Sequence, residues 1–465
     1  MLSPISSKRS AVALFCLCAL FFLYLFGLTR TGLLGPDEPR YAAIGRAMAE
    51  SGDWITPRLW GDPWFEKPAL LYWMTAAGFK AGLSRDLAPR LPVALLSMAF
   101  LVYFFFALKR ACGTAAAAYA TTILGTSAGW LAYSHVAITD LPLSAAFAAS
   151  MLVILNGLVI GAGGLAEALI AGALLGVAVL AKGLVPLALF LPAAWFLRKR
   201  LRDLLILLTA AAAVALPWYA LVTLRNGAPF LEEFFWKHHF ERFATAALQH
   251  EQPFWFYVPV LAAGLFPWTP LAILLFQRQV YAKPPAMFLL AWATWGFLFF
   301  SISRNKLPGY LLPLLPAVTA LLGIAMAEVR AGAAKMIGAL AASSALLWFV
   351  PAIPPFLPRA LLVGASHAPF CFPLIWIAPA ILAAGLSVVL EATGRRAWAV
   401  SFIGILMTIS VAALVWRAYP DLDRVVSGRS IWLASNNSIT CVPSTNRSRR
   451  YGLYYYAGGR LPDCN

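Results

Sequence analysis

Runs of about 20 apolar residues, separated by short polar stretches, recur along nearly the whole chain. The runs 11–29, 91–108, 114–134, 141–160, 165–181, 183–197, 204–223, 254–276, 286–302, 310–327, 337–356, 370–390 and 398–416 predict about thirteen membrane-spanning helices. Only Lys182 and Gly183 separate the fifth from the sixth. Two longer polar segments, 30–90 and 417–465, interrupt the pattern. Within the first, residues 39–50 predict a short helix that starts at Pro39 and sets Ile44, Ala47 and Met48 on one face. Residues 68–81 predict a second, and such helices lie along a membrane surface. The tail reads as strand-prone around Tyr451, Leu453, Tyr454, Tyr455 and Tyr456 and is too short to bury much core unaided. The chain therefore divides into a membrane domain, 1–416, and a short segment, 417–465. The fold class is an all-α polytopic membrane protein.

Composition agrees with the pattern. Of the 465 residues, 61% are hydrophobic and 12% charged, where a soluble domain carries about 25% charged residues. That excludes a soluble enzyme and a disordered regulator. The net charge of +17 does not point to nucleic acid, because the basic residues sit in small groups between apolar runs. Lys8 and Arg9 precede the first run, whose length and lack of a small-residue cleavage site read as a span rather than a signal peptide. With that end cytoplasmic, short inside loops receive Lys109 and Arg110, then Arg198, Lys199, Arg200 and Arg202, then Arg395 and Arg396. Both long segments fall outside. Cys441 and Cys464 lie in the outer tail, where an oxidising compartment favours a disulfide over two free thiols.

Five places carry residues that could do chemistry. Residues 30–90 hold seven of the nineteen carboxylates: Asp37, Glu38, Glu50, Asp53, Asp62, Glu66 and Asp86. Asp37 and Glu38 stand between Gly35-Pro36 and Pro39, a backbone suited to holding a carboxylate still, although Asp37 could equally cap the following helix. Asp140 stands at a span end before Pro142, where a charge is expensive and a functional candidate by default; capping is again the plain alternative. Lys182 breaks an apolar run and either snorkels or binds an anion. His238 and His239 are adjacent, so at most one faces a given metal site. In Ser303-Arg304-Asn305-Lys306-Leu307-Pro308-Gly309-Tyr310, two cations meet the start of a span.

Taken together, GPDEPRYAAIGRAMAESGDWITPRLWGDPWFEKPALLYW (35–73), ITDLP (138–142), AKG (181–183), HHFERF (238–243) and SRNKLPGYLLPLLP (303–316) resemble the bacterial aminoarabinose transferases of lipid A. These belong to the protein-mannosyltransferase-like membrane glycosyltransferases of GT-C fold. The resemblance implies transfer of a sugar from a polyprenyl (undecaprenyl) phosphate donor to a lipid or glycan acceptor such as lipid A, at the periplasmic face of the bacterial inner membrane. By that pattern Asp37 and Asp140 are the catalytic carboxylates. Lys67, Lys182, Arg242 and Lys306 match the positions that hold the donor phosphate. Tyr41 matches a donor-contacting aromatic, and Glu38 and Tyr310 are assigned with it to substrate binding. Glu66 and His239 match a pair that binds a divalent metal such as zinc.

Elementary chemistry points the same way. A polyprenyl phosphate leaves readily once its charge is matched, so cations matter more than a general acid. No Gly-rich nucleotide cradle is present, which fits a donor that is not a nucleotide sugar. Two other readings share some of these features. A protein O-mannosyltransferase would use the same first-loop acids, and a flippase of lipid-linked sugars would need charges near the midplane and repeated halves. The charges here gather at the outer face instead.

Overall fold

The computed structural model describes residues 18–161, 163–234, 236, 252–364 and 367–464. Among these, nine helices are long and apolar enough to cross a membrane: Leu87–Cys112, Asp140–Val159, Leu165–Lys182, Leu201–Asn226, Pro284–Ile302, Pro308–Glu328, Ala334–Val363, Leu374–Ala392 and Arg396–Val425. Each coincides with one expected span. The chain is a multi-pass helical membrane protein.

The other four expected spans depart from single intact helices, each for a local reason. The 114–134 run breaks into Thr114–Gly125 and Ala128–Ser134. At the break the Thr126 and Ser127 hydroxyls donate to the Thr122 and Ile123 carbonyls, the back-bonding that bends helices. The 183–197 run splits into Val185–Leu189 and Leu191–Leu197, each with a proline at its start. The 254–276 run bends by 113° between Phe254–Leu265 and Thr269–Phe276. Of the first span, residues 18–24 are helical and the earlier part lies outside the described residues. Apolar length alone does not register these breakers, so among the described residues nine of the thirteen expected spans are single long helices.

Small residues let the spans approach closely. Gly172 and Gly176, four apart on Leu165–Lys182, lie against Leu201–Asn226; a Cβ on Gly172 would stand 2.2 Å from the Leu207 carbonyl oxygen, and one on Gly176 2.6 Å from that of Ala211. Where lipid tails are as apolar as Leu, such close backbone contact is what drives helix association.

Arg90 is fully buried at the outer end of Leu87–Cys112. Its guanidinium forks onto Glu38, at 2.7 and 2.8 Å, and donates to the carbonyls of Leu28, Thr31 and Gly32. One side chain thus fixes the exit from the first span. A second buried pair, Glu391 with Arg396, stands at the far end of the molecule. There the Arg396 guanidinium caps the carbonyls of Met326, Val329 and Arg330, which the end of the Leu315–Glu328 helix would leave bare.

The first long loop, 30–90, contains the two expected helices, Asp37–Ser51 and Leu70–Lys80. Between them Arg58–Leu59 pairs antiparallel with Asp62–Pro63, and the two-residue turn puts Trp60 (φ 52°) and Gly61 (φ 96°) in left-handed conformation. The tail departs from its strand expectation. Residues Arg447–Ala457 form a helix, started by Asn446, whose side chain accepts from the Arg449 amide at 3.0 Å. Cys441 and Cys464 form a disulfide, and Val442 bridges Asp463 beside it. The tail then docks on the first loop through Arg429 to Asp86 (2.7 Å), Tyr456 to Asp86 (2.5 Å) and Tyr455 to the Arg85 carbonyl (2.7 Å). This docking buries Tyr455 and Tyr456 against Leu33 and Ala42 and makes the helix the stable choice. Local propensity could not anticipate it.

Removing one partner of a buried ion pair strands the other charge, at a cost of about 3–5 kcal/mol. Arg90→Met and Glu38→Gln should therefore both destabilise the folded protein strongly in detergent: the first leaves the Glu38 carboxylate without its cation, and the second leaves Arg90 unpaired and turns an amide NH2 toward groups that only donate. Unfolding midpoints followed by near-ultraviolet dichroism check both losses.

Candidate active site

Two charged clusters gather the expected carboxylates. The first lies on the Asp37–Ser51 helix and the loop after it. Asp37 opens the helix but makes no capping bond; its Oδ1 instead accepts from Arg40, one turn on. Arg40 reaches Glu66 with its other terminal nitrogen (3.1 Å) and the Pro36 carbonyl with Nε (3.0 Å). Glu66 Oε1 meets Lys67 Nζ at 2.9 Å. The result is a row of alternating charges, Asp37, Arg40, Glu66, Lys67. Burial by itself lowers the Arg40 pKa, but attraction to Glu66 and Asp37 more than offsets this and holds the guanidinium above its ordinary range. Within the row Asp37 is the open member: 45% of its side chain is exposed, against 10% for Glu66. Its Oδ2 takes no hydrogen bond among the described residues, so it is free to meet a substrate.

Tyr41 is buried beside this row, its ring 5.9 Å from that of Tyr72. Burial first, then the Glu66 and Asp37 charges, push its hydroxyl well above the usual phenol pKa, so it stays protonated and able to donate. Arg40 also lies against aromatic faces, 5.5 Å from the Trp64 ring centre and 5.5 Å from that of Tyr451 in the tail.

The second cluster lies where Asp140–Ile160 begins. Asp140 likewise makes no capping bond. Its Oδ1 accepts from Lys182 Nζ at 2.6 Å, and Lys182 in turn lies 4.7 Å from the Tyr310 ring centre. Gly309 makes this possible: a Cβ there would come within 2.6 Å of Asp140 Oδ1 and 2.7 Å of Tyr133.

Glu38 joins the clusters. Besides Arg90, it accepts from the Leu34 amide (2.7 Å) and from the Ala137 amide (2.9 Å), three residues before Asp140. It is 1% exposed. Burial and four donors turn this carboxylate, matched above to substrate binding, inward, where it links the turns that carry Asp37 and Asp140. Lys306 is buried too, and its ammonium donates to the carbonyls of Ser303 (2.5 Å) and Gln252 (3.0 Å). Arg242, His238 and His239 lie outside the described residues.

No group of three His, Cys, Asp or Glu among the described residues could hold a metal ion, and Glu66 faces two cations. The motifs left Arg40 and Tyr451 without a role. Arg40 was legible from its i,i+3 spacing to Asp37; Tyr451 was not, because its contact crosses from the tail.

No family model matches the chain. It is 34% identical over 327 residues to the undecaprenyl phosphate-alpha-4-amino-4-deoxy-L-arabinose arabinosyl transferase of Serratia proteamaculans, covering 67% of this chain and 59% of that one. The transferase of the same name from Pseudomonas aeruginosa PAO1 is 32% identical over 336 residues, 69% of this chain and 60% of its own. The crystal structure of ArnT from Cupriavidus metallidurans bound to undecaprenyl phosphate matches with a TM-score of 0.77 at 26% identity, over 97% of this chain and 85% of that one. The chain belongs to the aminoarabinose-transferase-like family of GT-C membrane proteins. The apo oligosaccharyltransferase of Archaeoglobus fulgidus, at a TM-score of 0.50 and 14% identity over 97% of this chain and 64% of that one, shares the fold alone. The chain spans about three fifths of the length of the curated relatives it matches.

His135 holds the turn that carries Asp140, with Nε2 2.8 Å from the Leu23 carbonyl. Burial, more than the Arg90 charge, lowers its pKa to about 4 against the bond to Leu23. Between about pH 4 and 6.5 the unfolded chain takes up a proton that the folded chain refuses. The stabilisation is thus complete above pH 6.5 and falls by up to roughly 3 kcal/mol as pH drops through that window. Thermal midpoints in detergent across this range should decline for the wild type and less steeply for His135→Gln. Equal slopes would contradict the assignment.

Proposed function

We propose that this chain is a glycosyltransferase that moves a sugar from an undecaprenyl-phosphate carrier to a lipid or glycan acceptor such as lipid A. The active site faces the periplasm from the inner membrane. The aminoarabinose of the relatives is the sugar to test first. The observation that carries the reading is the pair of acid–cation clusters joined by Glu38, with Asp37 as the open carboxylate.

The chemistry follows from the charges. A sugar linked to a polyprenyl phosphate breaks its anomeric C–O bond when the departing phosphate is stabilised, and Lys67 and Lys182 are amines placed to share that charge. Each now rests on a carboxylate, Glu66 and Asp140, so an incoming phosphate competes with that carboxylate for its cation. Arg242 and Lys306 belong to the same proposed phosphate set. Asp37 serves the acceptor. Toward a hydroxyl it takes the proton as the new bond forms; toward a phosphate, already ionised, it orients the attacking group. Tyr41 and Tyr310 line the donor side. The oxidised tail supports an outward-facing site, since disulfides persist in the periplasm.

Asp37→Asn should leave expression and thermal stability nearly unchanged while release of undecaprenyl phosphate from a lipid-linked sugar falls at least about 100-fold. Full transfer by this variant would refute the catalytic role. Neutral substitutions at Lys67, Arg242 and Lys306 should each weaken donor binding, and Arg242→Lys should weaken it too, because a point charge does not replace a bidentate fork.

We propose Glu66 and His239 as ligands should a divalent metal bind, with no step of transfer dependent on it. Elemental analysis of wild type, Glu66→Gln and His239→Ala decides this. Metal lost in both variants supports the pair, and equal content in all three ends it.

A further inference from the structure

Among the tail's contacts with the first loop, one aromatic ring reaches the row of charges that holds Asp37. Tyr451, in the first turns of Arg447–Ala457, presents its ring 5.5 Å from the Arg40 guanidinium carbon. Arg40 is the cation shared by Asp37 and Glu66. The tyrosine ring is itself held from behind. Trp60 stacks on it at 5.7 Å and 29°, and Tyr454 meets Trp60 edge-on at 5.1 Å. Trp60 makes this contact from a left-handed backbone, a conformation that a bulky residue adopts only where its surroundings impose it. The disulfide-closed tail and the first-loop hairpin therefore converge on Tyr451 from two sides.

From this we infer that Tyr451 is a positioning residue for the transfer reaction: it acts through Arg40, holding the guanidinium so that Asp37 keeps one oxygen paired and the other open. The inference rests on the proposed function for the reaction concerned, but the contact itself is independent of it. A guanidinium with three neighbouring rings has its planes restricted, so it donates along fixed directions instead of sweeping between its two acids. Without the Tyr451 ring, the outer face of Arg40 opens to water, its pairing with Asp37 competes with solvent, and Asp37 loses its set orientation. The phenol oxygen has no part in this; the ring face does.

Two measurements on the full-length protein test the inference. The first is the rate at which phenylglyoxal modifies Arg40, read by mass spectrometry of the peptide that contains it. Tyr451→Ala should raise that rate severalfold, and Tyr451→Phe should leave it at the wild-type level. Equal rates in wild type and Tyr451→Ala overturn the inference, whatever the protein transfers. The second is kinetic. Tyr451→Ala should lower kcat about tenfold with the donor KM within about twofold, Tyr451→Phe should restore kcat, and Tyr451→Ala should add nothing further in an Arg40→Lys background. Full additivity, or equal loss in the Ala and Phe variants, overturns it. A wild type inactive with every lipid-linked sugar refutes the functional reading, while the modification rates still decide the role of Tyr451.

Discussion

The half of the molecule that carries the site depends on the buried pair between Glu38 and Arg90. Burying two charges is expensive, and it is tolerated here because every donor and acceptor is used: Arg90 takes two carboxylate oxygens and three carbonyls, and Glu38 takes two backbone amides as well. Those bonds reach the end of the first span, the start of the first outer helix, the head of Leu87–Cys112 and the turn before Asp140. Four parts of the chain that are far apart in sequence are thereby held in one geometry. Asp37, the residue next to Glu38, inherits that rigidity.

Around this fixed point the site is arranged as charges that are already matched. Arg40, Lys67 and Lys182 each sit against a carboxylate. Such a site keeps its cations in place where isolated charges would be costly, and under the proposed function an incoming phosphate would exchange with a carboxylate instead of desolvating a bare cation. The same economy appears at the other end of the molecule, where Glu391 and Arg396 stand together and Arg396 caps the carbonyls of a neighbouring helix.

Much of this was legible in the sequence, and the rest was hidden for identifiable reasons. Nine spans followed from apolar length, and Asp37, Asp140 and Lys182 stood out as charges where charges are expensive. Pairing of Asp140 with Lys182 was not legible, because 42 residues and two helices' packing separate them in the chain. Glu38 was matched to substrate binding and adjoins Asp37; on a helix, neighbours point in different directions, and Glu38 points inward. Ser127 and Thr126 broke a span that hydropathy leaves continuous. The tail reversed its local preference, since burial of Tyr455 and Tyr456 on the first loop outweighs the strand tendency of a Tyr-rich run.

The central claim is that this fixed, charge-matched site transfers a lipid-linked sugar to an envelope acceptor. Mass spectrometry of lipid A and other envelope glycolipids from cells with and without the gene addresses it most directly. A glycolipid heavier by one sugar residue, present only when the gene is present, is the result expected. Identical glycolipid profiles in the two strains, with the donor lipid available in both, would contradict it.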